Sequence, residues 1–213
     1  TRKDEDPATI NRLIRELIGK FSRCTYVGYT ATPFANVFIN PDNEKDLFPS
    51  NFIYSLNTPS NYIGANSIFI DGGSHTSQLR DIDDAEQLIP YKHKKDLVVQ
   101  DVPESLKDAI RVFLLSCAML DLRGEKLHHR SMLVNISRLT DVQARIAEII
   151  SNFLWDLQEE IRQFLLSISW SEHNALVDLH RVWLTEYGET EITWEEIRQT
   201  LHEASASIKV VTI

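Results

Sequence analysis

The sequence predicts a helix-rich α/β fold. Short runs of β-branched and aromatic residues, CTYVGY at 24–29, FIYSL at 52–56, SMLVNI at 131–136 and IKVVTI at 208–213, are too brief for helices and read as strands. Between them, apolar residues recur at three- and four-residue spacing, the mark of helices with one buried face. Reciprocal capping boxes, Ser or Thr followed three residues later by Glu or Gln, stand at Thr140–Gln143, Ser169–Glu172 and Thr193–Glu196. Strand-like and helical segments in one chain give an α/β class.

Asp6 and Pro7 suit an N-cap and first helical residue. Ile10, Leu13, Ile14, Leu17, Ile18 and Phe21 then form one apolar face. The helix leads into the strand 24–29, which Thr30-Ala31-Thr32-Pro33 closes. An apolar segment, 34–39, a polar loop and the strand 52–56 follow, and residues 57–95 are irregular, with Gly72-Gly73 and the basic run YKHKK. Pro103 opens a helix whose stripe is Leu106, Ile110, Phe113, Leu114, Cys117 and Leu120, with Gly124 as its stop. After the strand 131–136, the stripe from Val142 to Phe164 predicts a helix of about 35–40 Å. Residues 153–206 read as nearly all helix.

The chain has 213 residues, 43% of them hydrophobic and 25% charged, enough for a real core. A net charge of −9 argues against a nucleic-acid coat protein but leaves room for a local nucleic-acid groove. Cys24 and Cys117 lie in apolar stretches without metal or redox spacing, which suits reduced thiols in the cytoplasm. No signal peptide opens the chain, no run reaches the roughly twenty apolar residues of a membrane span, and no membrane partner is expected. The start at TRKDEDP and the finish on an apolar strand suggest a piece of a longer polypeptide.

Several apparent motifs fail on their context. Gly19-Lys20-Phe21-Ser22 lacks the earlier glycine and the strand-to-helix turn of a phosphate-binding loop. Asp4-Glu5-Asp6 has no apolar strand before it to make it an acidic magnesium box. No histidine or cysteine spacing matches a metal site, and His128-His129 are adjacent, so their rings diverge on any regular element. Asp42, Glu44 and Lys45 hint at a nuclease, but no acidic residue two before a lysine on a following strand completes the set. Lys92, Lys94 and Lys95, and separately Arg123, Lys126 and Arg130, are candidate phosphate contacts; the competing reading is a solvated loop balancing an acidic protein. Thr30 and Thr32 place two hydroxyls at a strand's C-terminal edge, where α/β sheets hold their ligands, and Pro33 then removes a ladder donor.

YVGYTATPFANVFIN, FIYSLNTPSNYIGA and MLVNISRLTDVQARIAEII together resemble the bacterial Z-one domain, an endonuclease-associated module of restriction-modification and phage-defence systems. TATP resembles motif III of superfamily-two helicases, and the last block their motif IV. The resemblance covers most of 7–152 and the final strand. It implies partial RecA-like lobes of the P-loop NTPase type. Residues 1–56 would end the first lobe, 57–125 would be a connector and linking helix, and 126–213 would start the second lobe with a helical insertion at 153–206. It further implies that Thr30, Thr32 and Pro33 couple nucleotide hydrolysis to lobe closure, and that Asn135, Ser137 and Arg138 lie near nucleic acid or the interlobe cleft. No catalytic residue, cofactor or metal site is expected within these residues. ATP and Mg²⁺ would belong to the longer parent protein, which would act on DNA with the remainder of the polypeptide and other restriction or defence subunits. Two alternatives stay open: a non-enzymatic scaffold docking partners through the Trp-containing helices, and a nuclease.

Overall fold

A computed structural model describes residues 9–32, 39, 48–49, 51–126 and 129–212. The chain divides into two compact units, Thr1–Thr76 and Ser77–Ile213.

The first unit contains helix α1 (Thr9–Ile18) and the short helix α2 (Ala65–Phe69). The expected apolar periodicity does produce α1, and an Arg12–Glu16 ion pair at 2.6 Å, one turn apart, reinforces its polar side. Its apolar face, however, is not buried: Ile10, Leu13, Leu17 and Phe21 are all exposed. Around α2, Ser67 donates its hydroxyl to Gly64 O at 2.7 Å and its carbonyl accepts from His75 N–H at 2.8 Å. That close return explains Gly73, since a Cβ there would stand 2.5 Å from Ser67 O.

The second unit holds the core. Helices α3 (Glu104–Leu122), α4 (Thr140–Phe164), α5 (Asn174–Tyr187) and α6 (Trp194–Ala206) pack together, α3 against α5 and α6, and α4 against the same two. Leu114 and Leu115 of α3, Val142, Ile146, Leu157 and Ile161 of α4, Leu176 and Leu179 of α5, and Ile197 and Leu201 of α6 form its enclosed centre. Leu114 and the four α4 residues lie on the stripes read from the sequence, whereas Leu115 does not, so α3 is buried over a wider face than its stripe. Gly124 ends α3 in the left-handed region at φ 87°, as its position suggested. At 25 residues, α4 spans about 38 Å.

Charged side chains tie the helices at their rims. Arg111, almost fully buried, reaches Glu104 and Asp108 of α3 at 2.6 Å and Asp178 of α5 at 3.4 Å. Arg181 of α5 returns to Asp108 at 2.7 Å. Burial would raise the Asp108 carboxyl, but hydrogen bonds from Arg181 and Arg111 outweigh it and hold the group below its ordinary value. Tyr187 OH donates to Ser116 Oγ at 2.7 Å, because the Ser116 hydrogen is already given to Val112 O at 2.8 Å.

The structure corrects two of the three expected caps. Of the three capping boxes only Thr193–Glu196 forms, with the Glu196 carboxylate accepting Thr193 N–H at 2.7 Å and Thr193 Oγ1 accepting Glu196 N–H at 3.3 Å. Ser169 precedes only a 3₁₀ turn and makes no side-chain cap. Thr140 is the first residue of α4 rather than its cap, and Gln143 turns to Ser137 O and Asn135 instead. Helix α3 is part of the same core as α4–α6.

The anticipated strands at 24–29, 52–56, 131–136 and 208–212 form no β-ladder among the described residues. Two of them nevertheless keep the strand pattern of burial. Met132, Val134 and Ile136 pack on the core while Ser131, Leu133 and Asn135 face outward, and Ile208 and Val210 alternate with Lys209 and Val211. The main-chain groups of 131–136 and 209–212 make no hydrogen bond with any described residue. A cleft of about 980 Å³ is lined by these two segments together with α3 and α4.

Candidate nucleic-acid interface

The site is built on the loop 90–97, pinned at its ends by the buried Ile89 and Val99. Within it His93 bridges to a segment far away in sequence. Its Nδ1 lies 2.6 Å from Pro90 O and its Nε2 lies 2.7 Å from Ser137 Oγ. A carbonyl oxygen can only accept, which assigns the hydrogen to Nδ1. In the neutral ring Nε2 is then the acceptor, and Ser137 Oγ–H donates to it. The same Oγ accepts Leu139 N–H at 3.1 Å. Ser137 is thus buried and fully used at the entrance to α4.

A second tie fixes the loop. Arg145, on the first turns of α4, donates to Lys95 O at 2.7 Å and Leu97 O at 3.0 Å. Gln143 completes the arrangement by donating to Ser137 O at 2.7 Å and Asn135 Oδ1 at 3.3 Å. The backbone before α4 and the loop 90–97 are therefore held as one surface.

That surface is cationic. Lys92 and Lys94 flank His93, and Arg138 follows Ser137, so the single His93–Ser137 hydrogen bond sets three charges around itself. Lys95 is brought in through its own carbonyl. All four side chains are exposed, and none forms an ion pair with a described residue. Elsewhere in the second unit, most arginines are matched to carboxylates. Asp96 in the same loop and Asp141 in the first turn of α4 are also exposed, so four cations stand beside two carboxylates, a net positive patch on a chain of net charge −9.

The other candidates separate from this group. Arg130 is committed to structure: its two terminal nitrogens donate to Cys117 O at 2.7 Å, Asp121 at 2.6 Å and Glu125 O at 2.7 Å, and its Nε is buried. Lys126 stands 3.8 Å from Glu203, and Arg123 caps the end of α3 through its own backbone. Beside them, burial pushes the Cys117 thiol up, so it is a poor nucleophile. Thr30 and Thr32 are exposed, with Thr32 N–H bonded to Thr30 Oγ1 at 3.0 Å. Pro33, Asp42, Glu44, Lys45 and His128 lie outside the described residues.

Three of the four tryptophans are turned inward: Trp170, Trp183 and Trp194 surround His180, with ring centroids 4.7–5.9 Å from it. Burial lowers the His180 basicity, keeping the ring neutral among the indoles. Only Trp155 presents a largely exposed indole, which removes most of the aromatic surface that partner docking through these helices would need.

The model of the Z1 domain family matches residues 105–213, just over half of the chain. The chain belongs to the Z1 domain family. The matched part runs from the start of α3 through α6, so it takes in the helices 153–206, where the sequence offers no motif, and leaves out the TATP segment. No curated protein and no solved structure matches the chain. No helix among the described residues is long and apolar enough to cross a membrane.

Sequence reasoning missed His93, Arg145 and the true role of Ser137. The Thr140–Gln143 spacing did single out Gln143, but for a different partner. No sequence signal could have paired His93 with a serine 44 positions away.

Proposed function

We propose that this Z1 domain chain is part of an ATP-dependent, DNA-acting helicase- or translocase-like protein of a bacterial restriction-modification or phage-defence system, working in the cytoplasm. In this reading residues 1–56 end one RecA-like lobe, 126–213 start a second, and Thr30, Thr32 and Pro33 couple lobe closure to a nucleotide site supplied elsewhere in the parent. The observation that carries the DNA-facing role is the cluster of unpaired cations, Lys92, Lys94, Lys95 and Arg138, gathered at the start of α4 on an otherwise acidic chain. Phosphate contacts of this kind position a protein on nucleic acid without reading its sequence.

Among the described residues, no donor set fits ATP and Mg²⁺. The described residues hold no group of three or more His, Cys, Asp or Glu able to grip an ion, and Gly19-Lys20 follows the end of α1 instead of opening a helix. In this reading the chain contributes binding and orientation, and phosphoryl transfer belongs to the parent protein.

The test is fluorescence anisotropy with a short labelled DNA duplex, comparing the native chain with K92E/K94E/K95E. Binding that weakens steeply with salt and is lost in the triple variant supports the proposal. Unchanged binding in that variant, or none in the native chain, overturns it. ATP turnover by the purified chain that disappears on replacing Thr30 and Thr32 would overturn the assignment of hydrolysis to other parts of the parent.

A further inference from the structure

We infer that His93 is a positioning residue: its hydrogen bond to Ser137 joins the loop 92–95 to Arg138 as a single binding face for the phosphodiester backbone of DNA. The inference rests on the DNA-facing reading above and adds the device that assembles the face.

The argument starts from a geometric problem. A lysine side chain is long and flexible, and three lysines on an untethered loop would occupy many arrangements, so holding them to one ligand would cost conformational entropy. Fixing their backbone removes part of that cost. The structure fixes it twice, through His93 to Ser137 and through Lys95 O and Leu97 O to Arg145.

The first tie has a directional logic. Pro90 O holds the imidazole by Nδ1–H, which turns Nε2 toward Ser137. Ser137 in turn receives Leu139 N–H, so the imidazole is bonded to the backbone that immediately precedes α4. Ser137 contributes no hydroxyl to the ligand, because its Oγ is buried and already engaged by His93 Nε2 and Leu139 N–H. Its neighbour Arg138 is the group that faces outward. The chemistry that fits such a face is a linear polyanion with charges repeated at short, regular intervals, and a DNA strand supplies one phosphate every few ångströms.

The imidazole has two working atoms, and two amides separate them. Asparagine places its amide near the position of Nδ1 and can still bond Pro90 O, but it falls short of Ser137. Glutamine extends to the position of Nε2 and can still reach Ser137 Oγ. If His93 acts by joining the two segments, H93Q retains DNA binding and H93N loses it.

The experiment measures duplex affinity across a salt series for native chain, H93N, H93Q, S137A and H93N/S137A, with thermal melts to confirm folding. The expected result is a roughly ten-fold weakening in H93N, a salt slope reduced by about 0.9 for each phosphate no longer neutralised, and near-native binding in H93Q. S137A weakens binding as well, and the double variant is no worse than either single one, because both remove the same bond. Native-like affinity and slope in H93N, with K92E/K94E/K95E still unable to bind, would overturn the positioning role while leaving the cationic face standing. Equal losses in H93N and H93Q, matched by equal losses in melting temperature, would overturn it too, as they indicate a merely structural histidine. A triple variant that binds like the native chain would instead remove the DNA-facing reading on which the inference rests.

Discussion

Helices α1 and α3 follow the same sequence rule, yet only one of them has a core. In α1, Leu13 and Leu17 are 51% and 58% exposed, whereas Leu114 and Leu115 of α3 are fully enclosed. Every described residue that is buried lies in the second unit. The difference teaches that apolar periodicity specifies a helix and the face it offers, but not what covers that face. In the second unit four amphipathic helices cover one another. The first unit contributes one such helix and extended segments whose apolar side chains, Tyr29, Tyr54 and Leu56 among them, stay in solvent.

The largest effect should come from cutting into the covered face and the smallest from the uncovered one. Leu114→Ala or Leu201→Ala leaves a cavity in the enclosed centre and should cost about 2–5 kcal/mol in denaturant unfolding. Leu13→Ala and Leu17→Ala should change stability by no more than about 0.5 kcal/mol. A loss at Leu13 comparable to that at Leu114 would break the comparison, since it would mean that α1 is buried in solution.

The capping boxes sharpen the same contrast on a smaller scale. Thr193→Ala removes a formed reciprocal cap and should destabilise the second unit by about 1 kcal/mol. Thr140→Ala, with the same motif but no capping hydrogen bond, should be close to neutral. Equal effects at the two positions would show that sequence spacing alone decides capping.

A further expected effect is on pH. His180 is held neutral by burial, so its folded value lies below the ordinary 6.5. The unfolded chain then binds the proton first on acidification. Stability attributable to this ring is fully present above about pH 6.5 and is lost as pH falls from there toward the lowered folded value. H180F should flatten that part of the pH–stability curve, read by tryptophan fluorescence during unfolding. Asp84 acts lower: the Ser105 hydroxyl and backbone N–H both bond its carboxylate and hold it below 3.8. Its contribution is present above that value and declines as pH drops below it, and D84N should remove that acid-side slope in the same measurement.

Much of the second unit was legible beforehand. The start of α3 after Pro103, its stop at Gly124, the long α4 and the formed box at Thr193 all depend on interactions within a few residues, which the sequence displays directly. The strands were not legible in the same way. A helix satisfies its own main chain, whereas a strand needs a neighbour that sequence spacing does not name. Residues 131–136 show both sides of this: Met132, Val134 and Ile136 alternate inward as the pattern requires, while their main chain has no ladder partner among the described residues.

The candidate site divides along the same line. Lys92, Lys94 and Lys95 could be picked out as candidate phosphate contacts from local context, and Arg138 from the family resemblance. Arg130 could not be separated from them, because only the fold brings Cys117 O, Asp121 and Glu125 O around its guanidinium. By itself the sequence determined the helices, their apolar faces and the cationic run at 92–95. Tertiary structure alone decided that this run meets the segment at Ser137 and Arg138, because a hydrogen bond of 2.7 Å between His93 and Ser137 depends on the packing of everything between them.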